Sequence, residues 1–362
     1  MNKARVLILG ATYGLLPAMK IFKAGHLVTM VCRPDERSVF LNDGAKVIFK
    51  GIGGQSGQIL DASVCPGRGT ETELGVVGPD TDVQGIDLAI FAISEPLFSD
   101  PELSGLVGRI GRAGIPVVSI SNAPPPPFLE RLNGFPTPGL RPAYGAWETW
   151  AHLDPDRTTA ASPDAQAVRR DPARLNELTV TLGSNFKVAP FARQQDQSLL
   201  NRISEDVESV RLDGVPVKVR FKVDGSLYAP FAKWPMLIAG NCRCLNPDGS
   251  LRPISAAVHD DVVESERIYE WTLDLVRAIG AADKDLVPFR HYAAVAKRLS
   301  APSSFARAVA NGSPLVERVD KMIQLVGQEK GQELRELDQL VDMADALVCA
   351  NTSQQRAKQS AH

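Results

Sequence analysis

Two glycines four residues apart, Gly10 and Gly14, follow the apolar run Val6–Leu9, and an amphipathic stretch and a second apolar run, Leu27–Val31, come next, closing at Arg33. A strand, a glycine turn, a helix and a strand in this order can seat a dinucleotide pyrophosphate. Glycine lets the backbone come close, and the helix N-terminus favours negative charge. Gly10, Thr12, Tyr13 and Gly14 are the candidate cradle. The residue closing the second strand meets the adenosine ribose in such units. A carboxylate there would accept from a free 2′-hydroxyl, whereas Arg33 followed by Arg37 suits a 2′-phosphate, so the expected cofactor is NADP rather than NAD. Ile93 and Ser94, at the end of the run Leu88–Ile93, are counted with the cofactor site. Asn122 follows the run Pro116–Ile120 at an edge where ligands of parallel sheets bind, which makes it a candidate ligand contact.

The elements that must position these groups are legible as a pattern. The runs Val6–Leu9, Leu27–Val31, Lys46–Phe49, Leu88–Ile93 and Pro116–Ile120 are continuous rather than alternating, as strands buried on both faces of a parallel sheet should be. Their spacing fits βαβ crossovers, with Leu103–Ala113 as one of the helices. The expected class is therefore α/β: an N-terminal Rossmann-type doubly wound sheet over residues 1–193, then a mostly α-helical domain over 194–362. Gly51–Gly85 is rich in glycine and small polar residues and reads as irregular loops and hairpins. Residues 134–175 are rich in Pro, Asp and Arg, with Tyr144, Trp147 and Trp150 among them. Glu177–Leu182 and Phe186–Ala192 read as a hairpin about Gly183-Ser-Asn185. Ser198–Val210, Val262–Ile279, Phe305–Leu325 and Leu334–Val348 carry the helical period, and the polar tail from Ser353 is expected to fray.

With 362 residues, 44% of them hydrophobic and 23% charged, the chain can bury two cores. A net charge of −2 gives no electrostatic case for nucleic acid or an anionic membrane. No apolar stretch approaches about 20 residues, and no basic start with an apolar segment precedes Val6; a cytoplasmic protein is expected. The five cysteines show no disulfide or zinc spacing, so no metal is expected, and Cys242 and Cys244 in their apolar surroundings read as buried thiols.

The chain resembles the ketopantoate reductase family, within the wider 6-phosphogluconate-dehydrogenase-like group. Gly25-His-Leu-Val-Thr-Met-Val-Cys-Arg33 is similar to the family's helix exit and second strand. Asp87–Ile93 resembles its fourth strand, and Val117–Asn122 a strand ending in asparagine. Ala192-Arg-Gln-Gln-Asp196 and Leu237–Cys242 resemble its domain junction and central helix. Pro302-Ser-Ser304, followed by Glu317-Arg-Val-Asp320, resembles its C-terminal element. The resemblance implies NADP-dependent hydride transfer on a small carbonyl or hydroxy acid at a cleft between the domains, in a homodimer whose helical half carries substrate and dimer contacts. It implies that Asn122 and Ser304 bind substrate and that Asn241 and Glu317 serve the catalytic shell.

The family's general-acid lysine stands four residues before the asparagine. Here that position is Leu237, which has no proton to give. Lys233 lies a further four residues back, on the same face of a continuous helix; alternatively the helix starts near Pro235 and Lys233 stands beside its N-terminus. The substrate is therefore expected to be something other than ketopantoate. An opine- or imine-type dehydrogenase and an NADP-binding regulatory protein without turnover are the alternatives. Tyr144, Trp147 and Trp150 either line a larger apolar pocket or pack a long loop.

Overall fold

The computed structural model describes residues 3–51 and 57–360. Its strands are β1 (Arg5–Leu9), β2 (Leu27–Val31), β3 (Ala45–Phe49), β4 (Gln58–Pro66), β5 (Glu73–Val77), β6 (Leu88–Phe91), β7 (Val117–Ile120), β8 (Thr158–Ser162), β9 (Gln166–Val168), β10 (Glu177–Leu182), β11 (Phe186–Val188), β12 (Arg211–Leu212), β13 (Val215–Pro216) and β14 (Phe221–Val223). The helices are α1 (Leu15–Lys23), α2 (Pro34–Asp43), α3 (Pro101–Arg112), α4 (Pro126–Leu129), α5 (Trp147–Trp150), α6 (Gln194–Ser209), α7 (Trp234–Met236), α8 (Ile254–His259), α9 (Val262–Ala278), α10 (Phe289–Ala296), α11 (Ser304–Ala310), α12 (Val319–Glu329) and α13 (Arg335–Ser360). Among them, no helix is long and apolar enough to cross a membrane.

The chain divides into two compact units. The first comprises the chain up to Ile93, Phe98–Leu132 and Glu148–Pro230; the second comprises Ser94–Leu97, Asn133–Trp147 and the chain from Phe231 on. All fourteen strands fall in the first unit. Twelve form one sheet in the order β14-β11-β8-β7-β6-β1-β2-β5-β4-β3-β10-β9. β1 is central and pairs in parallel with β2 on one side and β6 on the other, Ile8 lying between Met30 and Ile90. From β1 the chain passes to β2 and on to β3, comes back inward through β4 and β5 to lie beside β2, then crosses to β6 on the other side of β1 and runs outward through β7 and β8. That reversal opens the ligand crevice of doubly wound sheets at the C-terminal ends of β1 and β6. Val6, Ile8, Met30, Ile90 and Val118 are fully or almost fully buried, which is why these runs carry no polar alternation. α3 is set by its ends: Asp100 accepts from the Glu102 and Leu103 N–H groups, Pro101 opens the first turn, and Arg109 and Arg112 close the last.

Four segments depart from the sequence reading. β4 and β5 lie inside the stretch expected as irregular loops and hairpins; β4 pairs antiparallel with β3 and parallel with β5, which carries the sheet outward (residues 52–56 of that stretch lie outside the described residues). The hairpin expected over residues 177–192 does not form. β10 pairs in parallel with β3, and β11 pairs with β8 and β14, so Gly183–Asn185 links two strands that are not partners rather than closing a hairpin. The helix expected over Phe305–Leu325 is broken into α11 and α12, because Asn311-Gly312 turns the chain, Gly312 with φ +83°, and Pro314 follows. α13 continues past Ser353, where a frayed tail is expected, to Ser360; residues 361–362 lie outside the described residues.

α6 belongs to the first unit, past the expected boundary at 193. Its Leu200, Ile203 and Val207 join the sheet core. The Asp196 carboxylate takes two bonds from Arg157, Nε and Nη2 each at 3.0 Å. That bidentate pair ties Asp196, the last residue of the junction motif, to Arg157 and holds the helix to the sheet unit.

Lys20 on α1 is 1% exposed, and its ammonium nitrogen donates to the Val217 carbonyl at 2.9 Å. Burial, with Arg220 and Arg211 adding to it, pushes its pKa down to about 8 from 10.5. A folded-state pKa below the unfolded value means that folding expels a proton between the two, so stability rises with pH through that window. Relative to Lys20→Met, the wild type is expected to gain about 1–3 kcal/mol of unfolding free energy between pH 7.5 and 10.5. Urea unfolding of both proteins checks this; a difference that stays flat with pH would mean that Lys20 folds as an ammonium.

Candidate functional site

At the C-terminal ends of β1 and β6 the two glycines are required by space. Gly10 has φ +108°, and a Cβ there would stand 2.5 Å from Ile93 Cγ2 and 2.8 Å from the Ala92 carbonyl oxygen; a Cβ on Gly14 would stand 2.1 Å from the Gly10 carbonyl oxygen. Such a turn holds the start of α1 against the ends of β1 and β6, with no acidic side chain in the first turn of the helix to repel an anion. Gly10, Gly14 and Ile93 are thus brought together as the sequence reading expected. The residues present fit a dinucleotide pyrophosphate: the cradle is open where two side chains would have filled it.

Tyr13 takes a different place from the one expected. Its ring meets Phe186 edge-on at 6.1 Å and its hydroxyl donates to the Ala165 carbonyl at 2.8 Å. Burial pushes its pKa far up, with Asp164 adding to it. The side chain braces the turn from behind and leaves only the backbone of Tyr13 for a ligand.

Arg33 caps α2, and the Arg37 N–H bonds the Arg33 carbonyl at 2.9 Å, so the two guanidinium-bearing residues stand one helical turn apart at the end of β2. Both are exposed. The Arg33 guanidinium contacts Asp35 through Nε at 3.3 Å and Nη2 at 3.2 Å. Beneath it lies Glu36, a buried carboxylate that the sequence reading missed. It accepts from the Thr12 hydroxyl at 3.3 Å and the Arg33 N–H at 3.3 Å. Pro34 at the first helical position with an acid two residues on is a helix-start signature that could have flagged it. Asn122 is half-buried just beyond β7, and the following prolines start the α4 turn rather than an open loop. Ser94 is exposed and belongs to the second unit, where its carbonyl accepts from Leu97 N–H.

The segment from Ala229 to Cys244, which enters the second unit at Phe231, is not one regular helix. A 3-10 turn ends at Lys233, α7 begins at Trp234 with Pro235 in its first turn, a π-helical turn spans Leu237–Asn241, and a 3-10 turn spans Cys242–Cys244. Of the two placements considered for Lys233, the start of the helix beside Pro235 is the one adopted. Lys233 is half-buried; Leu237 is 3% exposed. A π turn frees carbonyls from the ordinary ladder. The Tyr292 hydroxyl donates to Met236 O at 3.1 Å, and the Ser303 hydroxyl to Asn241 O at 2.6 Å. Asn241 and the Ser303-Ser304 element are therefore neighbours. The helix cap is Ser303, which accepts from the Ala306 N–H at 3.1 Å, while Ser304 is exposed.

Glu317 lies in the link before α12 rather than on a helix, half-buried, with Val319, Met322 and Ile323 beyond it in the core. Tyr144 is its neighbour: burial, Glu95 and Glu317 together push the Tyr144 phenol far above its ordinary range. The Tyr144 hydroxyl donates to Met322 Sδ at 3.6 Å, and the buried Glu95 carboxylate accepts from the Gly145 and Ala146 N–H groups at 2.9 Å each. The aromatic trio is split. Tyr144 and Trp147 meet at 5.5 Å in the second unit, while Trp150 packs on Phe98 at 4.8 Å in the first. Cys242 is buried and its thiol is pushed up by burial first and then by Asp320.

No protein-family model and no curated protein matches this chain. Among solved structures it is similar to the PanE/ApbA family ketopantoate reductase from Ralstonia eutropha JMP134, at 17% identity and a TM-score of 0.65 over 96% of this chain and 99% of that one. It is similar to D-mandelate dehydrogenase in its ternary structure with NADH and anilino(oxo)acetate, at 12% identity and a TM-score of 0.64 over 96% and 99%. A 2-dehydropantoate 2-reductase from Methylococcus capsulatus matches at 12% identity and a TM-score of 0.60 over 96% and 97%. The fold is that of the ketopantoate reductases: a large, mostly parallel sheet followed by a helical C-terminal region.

The two adjacent serines have separable roles. Ser303→Ala removes a helix cap and the bond to Asn241 O, and is expected to lower the unfolding free energy by about 1–2 kcal/mol. Ser304→Ala, at an exposed hydroxyl, is expected to stay within about 0.5 kcal/mol of wild type. Denaturant unfolding of both variants checks the assignment; equal losses would contradict it.

Proposed function

We propose that this protein is an NADP-dependent oxidoreductase that transfers hydride to or from the carbonyl carbon of a small carboxylated substrate other than ketopantoate. The observation that carries the reading is the Cβ-free turn at the β1/β6 reversal with Arg33 and Arg37 one helical turn apart at the end of β2. Gly10, Thr12 and Gly14 hold the pyrophosphate, Arg33 and Arg37 the 2′-phosphate, and Ile93, Ser94 and Asn122 the nicotinamide end. The bound dinucleotide supplies the hydride chemistry. In the second unit, Ser304 and Asn241 bind and orient the substrate, and the Glu317 carboxylate anchors its hydroxyl and the ammonium of Lys233, the candidate proton donor. The neighbours named for ketopantoate and D-mandelate support a 2-oxo or 2-hydroxy acid as substrate class.

The buried Leu237 favours a second reading. A ketone reduced at this site forms an alkoxide and needs an acid; an iminium accepts hydride and becomes a neutral amine without one. Glu95 and Glu317 near Tyr144 suit a cationic intermediate, so an imine- or opine-forming substrate is the alternative activity. Binding without turnover is the remaining alternative.

Fluorescence titration with both cofactors is expected to show NADPH preference, and Arg33→Ala to weaken NADPH by about ten- to a hundredfold while sparing NADH. Equal affinities in the wild type would refute the NADP assignment. Absorbance assays with aliphatic and aromatic 2-oxo acids, with and without an added amine, then separate the two activities. With ketopantoate, kcat/KM is expected below about 10⁴ M⁻¹s⁻¹. On the substrate so identified, Glu317→Gln is expected to reduce kcat/KM at least about tenfold with NADPH affinity unchanged. Wild-type turnover in that variant would remove Glu317 from the reaction.

A further inference from the structure

We infer that Arg169 sets the cofactor preference of the first unit by neutralising Glu36, an inference that rests on the nucleotide site proposed above. The segment after β8 returns to the nucleotide end twice: Tyr13 bonds the Ala165 carbonyl, and Arg169 Nη2 reaches Glu36 Oε1 at 3.2 Å. Arg169 also donates to the Leu175 carbonyl at 2.7 Å. The Glu36 side chain is 6% exposed and that of Arg169 15%, so this ion pair is screened from solvent. Arg33 Nη2 lies 3.5 Å from the same Glu36 oxygen, but its side chain is 65% exposed and its guanidinium also faces Asp35.

Arg33 is thus poised between an inner carboxylate and an outer one. With Arg169 in place, the inner carboxylate has its cation and Arg33 can stay outside, where a 2′-phosphate would meet it. Without Arg169, Glu36 is a buried charge short of a partner, and the nearest replacement is Arg33. A buried unpaired carboxylate is costly enough to draw that side chain inward. The group Arg33, Arg37 and Arg169 against Asp35 and Glu36 carries one net positive charge. Removing Arg169 cancels that charge, and neutralising Glu36 doubles it. The two changes should therefore move the preference for a 2′-phosphate in opposite directions.

The test is fluorescence titration of NADPH and NADH against wild type, Arg169→Gln, Glu36→Gln and the double variant. Glutamine at position 169 keeps a donor for the Leu175 carbonyl. Arg169→Gln is expected to lower the NADPH-over-NADH affinity ratio about three- to tenfold, Glu36→Gln to raise it by about as much, and the double variant to return near wild type, each shift shrinking as salt is added. A pair that merely braces α2 would weaken both cofactors together and leave the ratio unmoved in both variants, and that result would overturn the inference. If Arg169→Gln does not fold, Glu36→Gln decides alone: an unchanged or lowered ratio overturns it. Wild-type protein that binds neither cofactor removes the nucleotide site itself, a failure distinct from a wild type that binds with an unmoved ratio.

Discussion

A methyl group on Gly10 would collide with Ile93 and the Ala92 carbonyl, and one on Gly14 would collide with the Gly10 carbonyl oxygen. β1 cannot retreat to make room, because it is laddered to β2 and β6 along its whole length. The turn therefore has one available path, and neighbouring positions follow from it. Thr12 is carried to where its hydroxyl meets Glu36, Glu36 accepts from the Arg33 N–H at the start of α2, and Arg33 stands at the end of β2. A steric constraint of two missing Cβ atoms thus passes through two hydrogen bonds to Arg33, at the end of β2.

The second unit is organised around hydroxyls that answer the irregularity of its central segment. The π turn at Leu237–Asn241 breaks the ordinary i→i−4 pattern, and two of the carbonyls around it are taken by Tyr292 and Ser303. Tyr292 can reach Met236 only because Gly240 has no side chain; a Cβ there would stand 1.9 Å from the phenol oxygen. Tyr292 in turn stacks on Tyr269 at 5.5 Å, whose hydroxyl bonds the Val287 carbonyl at 2.8 Å. The bulge is built into the packing of α8, α9 and α10 and is not a local accident of residues 237–241.

How much of this was legible in the sequence follows from the range of the interactions. Runs such as Val6–Leu9 and Leu27–Val31 declare buried parallel strands by composition alone, and the Gly10/Gly14 turn and the helix of α9 are local signals. The pairing of β10 and β11 with other strands is not local: Glu177–Leu182 and Phe186–Val188 look like a hairpin until β3, β8 and β14 compete for them. Exposed positions such as Ile59 and the mixed burial along β4 hid a ladder strand behind a weak pattern. Asn311-Gly312 was a readable stop inside an otherwise helical period. At the site, Arg33 and Arg37 were visible by type and spacing. Arg169 was not, because its partner Glu36 lies 133 positions away and only the fold brings them together.

Glu317 and Asp320 show how two carboxylates three residues apart come to different ends. Asp320 is fully buried and held by Arg318 through Nε at 3.0 Å and Nη2 at 2.8 Å. Arg318 also bonds Asp345, and Lys321 holds Asp345 from the other side at 2.8 Å. Both cations favour the charged carboxylate: Lys321 and Arg318 keep the Asp345 carboxyl below its ordinary range although burial opposes them. Taking Asp320 out of its buried pair with Arg318 strands the guanidinium, which typically costs about 3–5 kcal/mol. The network therefore fixes the backbone from residue 318 onward against α13, and Glu317 is the first residue before that anchored stretch. Its backbone inherits a fixed origin from that network. Asp320 thus spends its carboxylate on packing the start of α12, whereas Glu317, half-buried, lies beside Tyr144, a division that a motif of spacing alone leaves undrawn.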